Sequence, residues 1–99
     1  MVGSATATLA TLESLREYVL RSLCEQDALD PHQVQFLEHV LRRGPGIAGL
    51  MWEVRGPRRL RTQAIWAYSE RRIYFYNSAG QRVGVVHLTA WPNLAEQAA

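Results

Sequence analysis

Lysine is absent from the chain, and all 11 of its basic residues are arginine. Every mechanism that turns on a lysine amine is thereby excluded: the Schiff base, the pyridoxal-phosphate anchor, the lysine of a phosphate loop and the phosphate-pairing lysine of a kinase. Cysteine occurs once, at Cys24, so no disulfide can close within one molecule, in keeping with a reducing compartment. A lone cysteine of this kind is expected as a buried thiol. No apolar run approaches the ~18–20 residues that cross a bilayer, and no basic stretch followed by an apolar core opens the chain. These absences together lead us to expect a cytoplasmic protein with no membrane segment.

What remains is the material of one small globular domain: 99 residues, of which 47% are hydrophobic and 20% charged. Charge is distributed unevenly. Met1 to Leu41 carries two arginines against six acids, and Arg42 to Ala99 carries nine against three, so a net of −4 is followed by a net of +6. Such asymmetry suits an anionic partner for the basic half, or attraction between the two halves within or between molecules. Residues 1–7, small and aperiodic, are expected to be disordered; 8–90 to form the domain; and 91–99, with Trp91 ahead of Pro92, to be a tail.

Leu9, Leu12, Leu15, Val19, Leu20 and Leu23 recur at steps of three and four, predicting an amphipathic helix that starts near Thr8 or Thr11. In "DPHQ", Asp30 is placed to cap, Pro31 suits a first helical position and Gln33 completes a capping box, predicting a second helix with a stripe of Val34, Leu37 and Leu41, widened by Phe36 and Val40. "RRGP" then resembles a helix end, with Gly44 just past it.

Beyond Gly46 the period falls to two. Leu50, Trp52 and Val54 alternate with Met51, Glu53 and Arg55, and after "GPR" Leu60, Thr62, Ala64, Trp66 and Tyr68 alternate with Arg61, Gln63, Ile65 and Ala67. Pairing Val54 with Leu60 sets the apolar residues on one face and Glu53 across from Arg61. Two further strands, Arg72 to Tyr76 and Arg82 to Leu88, follow "SERR" and "NSAG". The predicted architecture is α+β: two antiparallel helices packed on one face of a four-stranded antiparallel β-meander, in the order α-α-β-β-β-β. Its core is expected to draw on Leu12, Leu15, Val19, Leu23, Val34, Leu37, Leu41, Leu50, Trp52, Val54, Trp66, Ile73, Phe75, Val83 and Val85.

"GPGIAG", Gly44 to Gly49, matches the G-x-G-x-x-G of nucleotide-binding loops. In a dinucleotide fold those glycines open a helix whose free N–H groups face the pyrophosphate, whereas here they precede a strand. The kinase form fails as well, because its loop lies between two strands and needs a lysine. The glycines are therefore assigned to structure, Gly44 as a helix stop, Gly46 as a turn and Gly49 as a point of close packing. His32 and His39 stand seven residues apart, ~10 Å along a helix, which is too far for a chelating pair. No serine occupies a strand-to-helix elbow, and no carboxylate pair emerges. No catalytic, metal-binding or cofactor-binding residue is nominated, and no enzymatic activity is expected.

The positive candidate is a surface. With Phe75 paired to Val83 and Ile73 to Val85, the uncovered face of the sheet presents Arg72, Tyr74, Tyr76, Arg82, Val86 and Leu88. Tyrosine and arginine dominate protein interfaces, and apolar area on an open face calls for a covering protein, most simply a second copy. The alternative is single-stranded nucleic acid stacked on the tyrosines, with Arg55, Arg58, Arg59 and Arg61 one hairpin away as phosphate contacts.

Overall fold

The computed structural model describes residues 3–93. Among them one helix and six strands follow in the order β1 (Ser4–Thr8), α1 (Leu12–Gln26), β2 (Gln35–Arg43), β3 (Gly46–Arg55), β4 (Arg61–Ala67), β5 (Arg72–Tyr76) and β6 (Arg82–Ala90). All six strands join one mixed sheet in the order β1-β6-β5-β4-β3-β2, with only β1 lying parallel to its neighbour. The α+β class stands, but two helices on a four-stranded meander are replaced by one helix on a six-stranded sheet. Among the described residues no helix is long and apolar enough to cross a membrane.

Helix α1 begins where its cap chemistry is complete. The Thr11 hydroxyl accepts from the Ser14 backbone N–H at 3.1 Å, and the Ser14 side chain accepts in return from the Thr11 N–H at 3.3 Å. Leu15, Val19, Ser22 and Leu23 form its buried stripe and press on β3 and β4, each large aliphatic contributing ~1.5–3 kcal/mol by leaving water. Leu9 lies outside the helix yet in the core, held by its N–H to the Ala90 carbonyl at 3.1 Å.

The segment expected as the second helix is instead the edge strand β2. Asp30 and Pro31 do cap a helical turn, but it spans only Pro31–Gln33, and Asp30 Oδ1 accepts from the His32 N–H at 2.9 Å. The glycine and proline expected to stop a helix form the two-residue turn of a β2–β3 hairpin closed by Arg43 and Gly46, with Gly44 at φ +57°. Glycine at the first central position is the signature of the turn whose twist matches antiparallel strands. Leu37 and Leu41, expected in the core, consequently face away from α1.

Register explains the other corrections. Val54 pairs with Thr62 and Glu53 with Gln63, a slip of two from the expected pairing that leaves both faces unchanged. In β6 the slip is a single residue. The turn closed by the Asn77 N–H on the Gln81 carbonyl, and a register shift between Phe75 and Tyr76, put Gly84 opposite Phe75 and Arg82 opposite Tyr76. A one-residue shift exchanges faces. Val86 and Leu88, expected on the open face, are therefore buried under α1, and Val85, expected in the core, faces out.

The core consists of rows running across the sheet beneath α1. One row is Leu50, Trp66, Ile73, Val86; the next is Trp52, Ala64, Phe75, Gly84. Ser4–Thr8, of which residues 4–7 were expected to be disordered, pairs with β6, and Thr8 and Thr89 share a hydroxyl hydrogen bond of 2.6 Å. Trp91 packs against the core with the Arg71 guanidinium 4.8 Å above its ring. The remainder of the expected termini, residues 1–2 and 94–99, lies outside the described residues.

Candidate interaction surface

Residues facing away from α1 also fall into rows. The central one runs His39, Met51, Ile65, Tyr74, Val85, from the β2 edge across five strands. To one side lie Leu37, Glu53, Gln63 and Tyr76; to the other Leu41, Gly49, Ala67, Arg72 and His87. Helix α1 covers the opposite side of β3 and β4, and at this face the turn Tyr68–Glu70 brings Glu70 to the Tyr74 hydroxyl. Val85, Tyr74, Ile65 and Met51 are each partly exposed, so the middle of the sheet offers an apolar band framed by polar groups.

Of the partner residues expected from sequence, Arg72, Tyr74 and Tyr76 do share this face. Arg82 joins them by stacking its guanidinium 4.6 Å over the Tyr74 ring, an attraction worth ~0.5–1 kcal/mol at an exposed site. The Tyr74 hydroxyl donates to Glu70. Val86 and Leu88 are absent from the face. Met51, Ile65, Leu37 and Leu41 take their place, and the first two were legible as the odd members of the β3 and β4 alternation.

Glu53 is the unexpected member, since a carboxylate on an uncovered face keeps only 6% of its side-chain exposure. It accepts from Gln63 Nε2 at 3.1 Å and from Arg55 Nε, and Arg61 Nε stands 3.6 Å away. Burial pushes this carboxyl up, but the hydrogen bonds from Gln63 and Arg55 and the charges of Arg55 and Arg61 outweigh it, and Glu53 titrates below the usual range. Arg55 and Arg61, expected as phosphate contacts, are thus turned toward an acid of their own chain.

Arg58 and Arg59 remain outward at the tip of the β3–β4 hairpin. Both adopt left-handed backbone, φ +58° and +62°, and the Leu60 N–H closes the turn on the Pro57 carbonyl at 3.1 Å. This turn favours Asn-Gly, and each left-handed non-glycine residue costs ~1–2 kcal/mol. Replacing Arg58 with Asn and Arg59 with Gly together is therefore expected to stabilise the protein by about 1–2 kcal/mol, read as a higher denaturant midpoint at unchanged slope.

A hollow of about 330 Å³ sits over the small residues of the open face, lined in part by Leu41, Ile47, Ile65, Ala67 and Tyr68. Beside it β3 approaches β4 closely at Gly49, where a Cβ would fall 1.8 Å from the Trp66 carbonyl oxygen. The third glycine of "GPGIAG" is thus committed to backbone contact. The stretch lies between two strands, as kinase loops do, but without a lysine to pair phosphates. A wider groove of about 820 Å³ between the α1–β2 connection and the β3–β4 turn brings Asp30, His32 and Arg55 together without a nucleophile.

Among the described residues no group of three His, Cys, Asp or Glu is placed to hold a metal ion. His39 and His87 lie on the open face, on different strands, and His87 stands opposite Arg72. Cys24 is buried, and burial, with the charge of Asp30 adding to it, pushes its thiol pKa up, away from the reactive thiolate. The chain matches no family model, and no curated protein or solved structure is similar to it.

Proposed function

We propose that the chain is a non-enzymatic cytoplasmic interaction module whose uncovered sheet face associates with the same face of a second copy. The observation that carries this reading is the in-register band Met51, Ile65, Tyr74, Val85, left in water by a fold that has a helix for only one side of its sheet. Size complementarity across a two-fold axis favours a copy over an unrelated partner. A two-fold axis lying along the central row sets each member of that row over itself and exchanges the rows on either side. Tyr76 then faces Arg72 of the other copy, Leu37 faces Leu41, and the longer Glu53 and Gln63 stand over Gly49 and Ala67, where the hollow lies. Strands of five to ten residues at ~3.3 Å per residue and ~4.8 Å apart give a face of roughly 700 Å², near the ~800 Å² per partner of standard interfaces.

Ile65→Arg tests this directly. The side chain is partly exposed in the single copy, so folding is expected to survive, with a melting temperature within about 5 °C of the parent. In the face-to-face pair it would set two guanidinium groups against each other on the axis. Sedimentation at tens of micromolar is expected to show the assembled mass halved. A parent that already sediments as a monomer, or a variant whose mass is unchanged, overturns the reading.

A second reading, single-stranded nucleic acid on this face, draws on Tyr74, Tyr76, Arg72 and the free arginines of the β3–β4 turn. Its support is weakened by Glu53, which engages Arg55 and Arg61. Salt-sensitive binding of labelled single-stranded RNA that is lost on changing Arg58 and Arg59 would favour it over self-association.

A further inference from the structure

We infer that the outer edge of β2 is a second self-association surface, on which β2 pairs antiparallel with β2 of another copy about a two-fold axis through Val40. Strand β2 ends the sheet, and among the described residues its only strand neighbour is β3. Its nine residues contain neither proline nor glycine, and the extra residue of the β2–β3 bulge, Ala48, belongs to β3, so the outer rim of β2 is regular. Natural sheets blunt such edges with charged side chains, lysine above all, or with proline, bulges or short length. Of these β2 has only charges, Glu38, Arg42 and Arg43, which a partner strand must complement.

The opposite edge differs. β1 has five residues, all of them Ser, Ala or Thr, and offers no large side chain to a partner. On β2, by contrast, Val40 is 48% exposed and is the one exposed large hydrophobic among the described residues. It lies mid-strand, on the face shared with α1, flanked on that face by Glu38 and Arg42.

The charges select the register. A two-fold axis normal to the sheet keeps each residue on its own face, so one residue of β2 must lie opposite itself. With Val40 at the axis, Val40 meets Val40 and Glu38 meets Arg42 of the other copy twice. Across the sheet, His39 meets Leu41, and Leu37 meets the stem of Arg43. Opposite charges directly across a strand pair stabilise it. Centring the axis on His39 would instead place Glu38 against Val40 and Phe36 against Arg42, leaving both charges without a complement. Glu38 can accept the additional guanidinium: its Oε1 receives Arg16 Nε and Trp52 Nε1, both at 2.7 Å, while Oε2 receives only Arg16 at 2.8 Å. Arg42 is exposed, with no ion-pair partner among the described residues.

This edge pairing is independent of the face-to-face reading.

Cysteine placement reads the register. Residues opposite themselves across such an axis bring Cα atoms to ~4.5–5.5 Å, inside the range a disulfide accepts. The native Cys24, 1% exposed, does not compete. Val40→Cys in the full chain under mild oxidation is expected to give a covalent dimer at least about tenfold faster than His39→Cys, whose sulfurs would be two pairs out of register. Adding Arg42→Glu, which sets two like-charge pairs in place of two ion pairs, is expected to slow cross-linking about tenfold. Adding Ile65→Arg is expected to leave it unchanged, which separates this edge from the face. Equal or faster cross-linking of His39→Cys, no cross-linking of Val40→Cys, indifference to Arg42→Glu or loss with Ile65→Arg would each overturn the proposal.

Discussion

Gly49→Ala is expected to abolish most of the folded protein at physiological temperature. The added Cβ would sit 1.8 Å from the Trp66 carbonyl oxygen and 3.0 Å from the carbonyl carbon. Both are backbone atoms of the neighbouring strand β4, so no side chain can rotate away, and β3 and β4 must part at the centre of the sheet. A cost above ~4 kcal/mol follows, against a total stability of ~5–15 kcal/mol for a domain of this kind. For a chain of 99 residues that corresponds to a fall in melting temperature of roughly 20 °C. Gly46→Ala is the control: its Cβ would meet only the Arg43 carbonyl oxygen at 3.7 Å, and the change is expected to cost less than ~1 kcal/mol. Thermal unfolding of the two variants side by side decides whether the spacing of "GPGIAG" serves strand packing. Equal, small losses would refute that assignment.

Glu38→Ala is the second large effect, expected at about 2–3 kcal/mol. Glu38 ties the edge strand to the helix through a forked pair with Arg16 and also accepts the indole N–H of Trp52, whose side chain is fully buried. Removing the carboxylate leaves that N–H without an acceptor, which carries most of the cost. Arg16→Ala leaves the indole bond intact and removes only a partly exposed partner, so it is expected to cost no more than ~1 kcal/mol. Denaturant titration of the two single variants and the double variant measures the coupling. A loss in Arg16→Ala as great as that in Glu38→Ala would contradict this division.

The same carboxylate confers a pH dependence. The hydrogen bond from Arg16 lowers the Glu38 pKa, burial opposes it, and the Trp52 bond and the Arg16 charge lower it further. The net shift is downward, as it is for Glu53. A carboxyl more acidic in the folded than in the unfolded chain stabilises the fold fully above the unfolded value of ~4.3 and progressively less as pH falls through the folded value. The parent is thus expected to lose stability below about pH 4.5, and Glu38→Gln to lose less over the same interval.

Much of the β-sheet was legible along the chain. From Leu50 to Trp66 the alternation places large apolar residues on one side, and it identified the core members Leu50, Trp52, Val54 and Trp66 together with the outward Met51, whereas Ile65 competed with Trp66 for the inside. The helix was equally plain, because the steps of three and four from Leu12 to Leu23 fit no strand. Residues 34–41 were ambiguous for a physical reason. Val34, Leu37 and Leu41 satisfy helical spacing, while Phe36 and Val40 satisfy alternation about Glu38, and the Gly44–Pro45 pair suits a helix end and a tight hairpin alike. Pairing with β3, and the reach of Arg16 to Glu38 from 22 positions away, resolved it.

The residues alone determined that this chain has one cysteine and no lysine chemistry, an amphipathic helix, a run of alternating strands, and a cluster of tyrosine and arginine on β5. Tertiary structure decided that β2 is a strand and an edge, that β6 turns Val86 inward and Val85 outward, and that Glu53 draws in two arginines expected to be free. Local pattern reports how a segment can bury its apolar side, whereas register, edge position and charge pairing depend on which distant segment lies alongside, and that is settled only when the ladder of hydrogen bonds closes.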